Sequence, residues 1–247
     1  MTYEDAIETA TETTMPTDLF GTPVQTSPAV QAGFEYPQPL TEKYAPMHVS
    51  EFVGLEQAKK VAANVVASPA PRNLLFIGPS GTGKTRMARA IANDMPAQVH
   101  HVASGECDVK SVRELRFDCQ YGPCVENDWS KPAKMHLLIV DEADGMSRAA
   151  QDAFLSILDG TNRPHGLLCI FTANSTEKLE DRFLSRCQVI KFSSYGMLKE
   201  TADLLAQVWA KESAPESPAP NFARIVKDSA NNVRAALMAL ETEIMSA

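Results

Sequence analysis

Apolar residues recur at helical spacing from Leu55 to Ala67, and the prolines of Ser-Pro-Ala-Pro-Arg (68–72) end that pattern. Short, largely apolar runs follow at 73–77 (NLLFI), 98–103 (QVHHVA), 136–140 (HLLIV), 167–173 (LLCIFTA) and 188–192 (QVIKF). Runs this short and this continuous predict strands covered on both faces, as in a parallel sheet. Helical patterns lie between them at 84–95, 108–118 and 147–159. The alternation predicts an α/β fold, a parallel sheet with helices on both faces. Beyond Phe192 the strands stop. Residues 196–211, the segment after Pro220, and 232–245 read as helices, split by the polar turn ESAPESPAP. They would form a small helical lid at 194–247 on a core at 41–193. Residues 119–134 read as a surface loop, and no internal repeat is present.

Charge changes this picture at one end. Residues 1–40 hold six acids (Glu4, Asp5, Glu8, Glu12, Asp18 and Glu35) and no lysine or arginine. Rich in Thr, Pro, Glu and Ala, they read as an acidic disordered arm. That arm accounts for most of the net charge of −8, and the remainder is nearly balanced. A strong basic stripe for nucleic acid is therefore absent, which leaves room for a weak or shared DNA surface. With 44% hydrophobic residues the chain can bury a substantial core. No apolar stretch approaches the ~20 residues of a membrane span. The N-terminus lacks the basic start and apolar centre of a secretory signal. An odd set of five cysteines without a regular framework reads as reduced thiols, so a cytoplasmic location is expected.

The chemistry begins at Gly-Pro-Ser-Gly-Thr-Gly-Lys-Thr (78–85), which fits G-x-x-x-x-G-K-[ST] directly between a strand and a helix. Gly78, Gly81 and Gly83 allow the backbone to curl, so that N–H groups of the loop converge on phosphate oxygens; the loop's residues Gly78, Pro79, Ser80, Gly81, Thr82, Gly83, Lys84 and Thr85 are the expected phosphate-side contacts. Lys84 can reach the β- and γ-phosphates of ATP, and Thr85 offers a hydroxyl to Mg²⁺. Asp141 ends the apolar strand at 136–140, where its carboxylate can hold Mg²⁺ through water; Glu142 follows, placed to polarise an attacking water. Asn174 closes another strand and would point at that water. Arg234 begins a lid helix. Cys107, Cys119 and Cys124 with His100 or His101 are too loosely spaced for a structural zinc site, and His100-His101 read as a core-and-surface pair.

In this order, with a helical lid, the motifs resemble AAA+ ATPases, and within them the clamp-loader subunits: replication factor C small subunits and their phage and bacterial relatives. The segment EKYAPMHVSEFVGLEQAKK (42–60) is similar to the family's adenine-side segment, and LSRCQVIKF (184–192) to its Ser-Arg-Cys hallmark. The resemblance implies a P-loop sheet of order 5-1-4-3-2 and adenine-side contacts from Tyr44, Pro46, Val53 and Gly54. It implies Asn174 as the sensor-1 residue, Arg234 as sensor 2, and Arg186 as an arginine finger for a neighbouring subunit's ATP. Implied partners are other AAA+ subunits, DNA and a sliding clamp; Asp18-Leu19-Phe20 in the arm is similar to the end of a bacterial clamp-binding peptide. Ala45, Val102 and Leu155-Ser156 depart from family residues, and no segment after the lid matches the family's collar. The expected function is ATP hydrolysis in DNA replication as part of an oligomer. The alternative is an ATP-switched binding module that assembles on DNA or a protein without loading a clamp.

Overall fold

In the computed structural model, residues 37–125, 128–159, 163–214 and 217–246 are described. Five parallel strands form the main sheet: β1 (Asn73–Ile77), β2 (Ala97–Ala103), β3 (Met135–Asp141), β4 (Leu167–Ala173) and β5 (Gln188–Lys191). Their spatial order is β2-β3-β4-β1-β5, the order expected from the resemblance. Because successive strand residues face opposite sides, the inner strands β1, β3 and β4 feed two cores. Leu74, Phe76, Leu137, Ile139, Leu168 and Ile170 pack beneath helices α1 (Glu56–Ala67) and α2 (Lys84–Asp94). Leu75, Leu138, Val140, Cys169 and Phe171 pack on the other side, beneath α3 (Val109–Asp118) and α4 (Arg148–Leu158). The central strand β4 is buried along its whole length.

Side-chain caps fix where the helices on the second face begin. Asp108 accepts from the Ser111 N–H at 2.7 Å, and Ser147 from the Ala150 N–H at 3.2 Å, each satisfying a first-turn donor that has no partner within its helix. Phe154 and Phe183 each meet Phe171 edge-on, at centroid separations of 5.4 and 4.9 Å, and so lock α4 and the short helix Asp181–Leu184 onto β4.

The loop expected at 119–134 is a correction. Its backbone pairs as an antiparallel two-stranded hairpin, Cys124–Val125 with Asp128–Pro132. Polar, proline-bearing strands lack the apolar alternation that betrays a buried strand, so their pairing leaves no hydrophobic pattern. Cys119 and Cys124 are buried rather than on the surface, each 2% exposed.

Beyond the sheet, α5 (Leu198–Glu212), α6 (Phe222–Asp228) and α7 (Val233–Ser246) share their own core of Leu205, Val208, Val226, Leu237 and Leu240. Leu40, which opens a short helix at Leu40–Lys43, is buried in that same core, and its N–H donates to Glu241 at 3.2 Å. Residues 1–36 of the expected arm, with Asp18-Leu19-Phe20, lie outside the described residues. Pro39–Ala247 forms one unit. Among the described residues, no helix is long and apolar enough to cross a membrane.

Candidate nucleotide site

The loop after β1 turns sharply at glycines for steric reasons. A Cβ on Gly78 would collide with the Phe192 carbonyl oxygen, and at Gly81, which holds φ +76°, a Cβ would overlap the Asn232 side chain. The turn delivers Lys84 to the start of α2, 8% exposed. Its ammonium donates to the carbonyls of Gly78 (2.7 Å) and Pro79 (2.9 Å) and to Asn174 Oδ1 (3.0 Å). Burial holds the Lys84 ammonium below its usual pKa, while the charges of Asp144 and Glu142 act in the opposite direction. Thr82 is buried and donates to the Pro79 carbonyl at 2.8 Å, which stiffens the loop. Ser80 contributes its carbonyl oxygen to the Asn232 amide at 2.9 Å.

Strand adjacency then assembles the acidic half. The Thr85 hydroxyl donates to Asp141 Oδ1 at 2.8 Å, so the hydroxyl and the carboxylate proposed for one cation already touch. Thr172, on buried β4, donates to the same oxygen at 3.1 Å and accepts from the Glu142 N–H at 3.0 Å. One threonine thereby positions both acids. Glu142 sits in the left-handed region (φ 54°), which turns its exposed side chain away from the strand direction. Asp144 accepts from the Asn174 N–H at 3.3 Å, tying the ends of β3 and β4 together.

Three participants escape sequence reasoning. Thr172 was legible only as a lone polar residue in an apolar run. His101 Nε2 lies 2.7 Å from Asp141 Oδ2, so the surface member of the His-His pair reaches the carboxylate expected to hold the cation. Asn232 bridges lid and loop and also accepts from the Ala235 N–H at 3.2 Å, capping α7. Its only signal was a capping residue ahead of a helix. Val102 packs against the core on the opposite face of β2 from His101.

The remaining expected residues occupy distinct places. Arg234 is exposed on the first turn of α7, and its charge acts on both Lys84 and Glu42. Tyr44 packs against the lid core, where its hydroxyl donates to Glu212 at 2.5 Å; burial and that carboxylate push the phenol up to about 12. Pro46 lines a cleft of about 410 Å³ with Arg86, Arg89, Val99 and His101. Val53 is half-buried, and Gly54 (φ +61°) comes against Met197 just before α5. Arg186 stands apart from all of these. Its guanidinium holds Asp159 at 2.6 Å and donates to the Arg182 carbonyl at 2.8 Å. Its own carbonyl accepts from Asn73, the first residue of β1, whereas the phosphate loop begins after the last.

The set fits a nucleoside triphosphate with Mg²⁺: a glycine-walled cradle, a buried ammonium, and a hydroxyl–carboxylate pair within 2.8 Å. Residues 74–195 match the ATPase family associated with various cellular activities, AAA. The chain is 33% identical to replication factor C subunit 3 of Blastobotrys adeninivorans over 208 residues, 82% of this chain and 59% of that protein. It is also 33% identical to replication factor C small subunit 1 of Pyrobaculum islandicum, over 62% of this chain and 46% of the relative. The chain thus spans about half of these relatives' lengths. The Thermotoga maritima RuvB Holliday junction branch migration motor shares the fold at a TM-score of 0.63 and 18% identity, covering 83% of this chain and 65% of that one. Fold and site define a AAA+ P-loop ATPase. Within that class the chain is clamp-loader-like, similar to replication factor C small subunits.

Proposed function

We propose that this protein hydrolyses ATP as one subunit of an AAA+ oligomer in DNA replication, each subunit lending Arg186 to its neighbour's nucleotide. The core at 41–193 binds the phosphates and the lid at 194–247 closes over them. Support comes chiefly from one observation: Lys84, Asn174, Thr85 and Asp141 converge at one end of the sheet, while Arg186 sits at the other.

The geometry supports the following roles. Lys84 exchanges its loop-carbonyl contacts for phosphate oxygens, and Asn174, already within hydrogen-bond reach of Lys84, orients the attacking water. Glu142 accepts that water's proton, its backbone held by Thr172. Thr85 and Asp141 would hold Mg²⁺, which supplies charge neutralisation at the β- and γ-phosphates. Arg234 adds positive charge from the lid, and Asn232 couples the lid to the loop. Tyr44, Pro46, Val53 and Gly54 flank the adenine. A sliding clamp and primed DNA are the proposed partners, in keeping with the resemblance to clamp-loader subunits.

The test is the ATPase rate per subunit over a protein concentration series, with primed DNA and with or without a sliding clamp. The rate should rise with concentration and rise further with DNA and clamp. Stimulation by DNA alone would favour the binding-module alternative, and a concentration-independent rate would overturn assembly-coupled hydrolysis.

A further inference from the structure

On the sheet face away from α1 and α2, three potential metal ligands come together from separate elements. His100 projects from β2, His136 from the start of β3, and Cys119 caps the C-terminus of α3. Their ligand atoms all lie within 4.8 Å of one another, with His136 and Cys119 buried and His100 half-buried. We propose that His100, Cys119 and His136 bind one transition-metal ion of the zinc class through two imidazole nitrogens and a thiolate, with water at a fourth position.

Geometry supports this over a chance cluster. His100 Nε2 and His136 Nδ1 face each other at 3.1 Å. Two nitrogens on one tetrahedral zinc, each ~2.0–2.1 Å from the metal, stand about 3.3 Å apart. His136 Nε2 donates to the Tyr121 carbonyl at 3.0 Å, so in the neutral ring Nδ1 keeps its lone pair and points it at His100. Such a backbone-anchored second nitrogen is how metal-ligating histidines are usually oriented. For His100 to ligate through Nε2, its proton moves to Nδ1, a change of tautomer only. Cys119 loses its thiol proton to solvent as the sulfur–metal bond forms, so binding releases one proton. The site lies on the opposite face of β2 from His101 and Asp141, which separates it from the nucleotide cradle. Bound metal would clip the end of α3 to two strands.

Spacing alone argues against zinc at the cysteines with His100 or His101, because the ligand that completes the set, His136, lies on a neighbouring strand far off in sequence. Cys119 and His100 are joined by His136, while Cys107, Cys124 and His101 stay outside the group.

The experiment uses the full chain, stripped with a chelator and titrated with Co²⁺ alone, followed by absorption spectroscopy. One equivalent should produce a thiolate-to-cobalt charge-transfer band with visible ligand-field bands, and Zn²⁺ should bleach both. Cobalt at Thr85 and Asp141 meets oxygen and, at most, the His101 nitrogen, and gives no thiolate band. Cys119→Ser should abolish the band with the circular-dichroism spectrum unchanged. His100→Gln, at the half-exposed position, should weaken Co²⁺ binding at least about tenfold, and it decides the matter should Cys119→Ser not fold. Absence of the band in the wild type, its survival in folded Cys119→Ser, or unchanged affinity in His100→Gln would each overturn the proposal; the histidines then simply hydrogen-bond to one another.

Discussion

Replacing Arg186 with alanine separates a contribution within the subunit from one across an interface. Asn73, which holds the Arg186 carbonyl, and the phosphate loop lie at opposite ends of the five-residue strand β1. At ~3.3 Å per residue, that places Arg186 about 17 Å from its own nucleotide site. A single charge at that distance in salted water alters a local rate by less than about twofold. A finger delivered directly to the γ-phosphate is worth about 10³-fold or more. The two cases are far enough apart to decide. At a concentration where the wild-type rate has saturated, Arg186→Ala should lose nearly all assembly-dependent ATPase while binding ATP normally. Mixing supplies the sharper assay. Arg186→Ala subunits keep a working cradle without a finger, and Lys84→Ala subunits keep a finger without a cradle. Equal amounts, assembled head to tail at random, should restore about one quarter of the wild-type rate. A mixture no more active than its separate components, or an Arg186→Ala rate within about twofold of wild type, would refute the reasoning. Asp159 should be left intact in this series, since it restrains the guanidinium in the free subunit.

Asn232→Ala removes both the cap of α7 and the bridge to Ser80. It should cost about 1 kcal/mol of stability in a denaturant titration and raise the KM for ATP, the lid being no longer tied to the loop. His48 lies 2.5 Å from Asp94, and that hydrogen bond raises its pKa above the usual histidine value. The contact should therefore stabilise the fold fully below about pH 6.5 and fade as pH climbs through the raised folded value. In melting curves, the wild-type advantage over His48→Gln should shrink with increasing pH; an advantage that grows would reverse the assignment.

The parallel strands were legible because burial on both faces writes uninterrupted apolar runs, as in Leu167–Ala173. The phosphate loop was legible because its residues are consecutive, so spacing alone specifies a turn. Contacts made by strand adjacency leave no such mark. Thr172 serves Asp141 and Glu142 only because β4 lies beside β3, and Asn232 meets Ser80 across 152 positions of sequence. His100 and His136 belong to neighbouring strands β2 and β3, and only their register brings the imidazoles together. The pairing of Cys124–Val125 with Asp128–Pro132 was hidden for a different reason: these polar, proline-bearing stretches of sequence carry no apolar alternation.

β1 carries the phosphate cradle at one end and holds the backbone of Arg186 at the other. With Arg186 serving a neighbour as proposed, a subunit built this way would have a giving pole and a receiving pole, and copies joined through them would share a heterologous interface without a two-fold axis. In a closed ring every nucleotide would be completed by a neighbour. In an open arc, one terminal cradle would always lack a finger and the opposite terminal finger would have no nucleotide to serve. The hydrolysing sites would then number one fewer than the subunits, and the gap itself would mark the direction of the assembly.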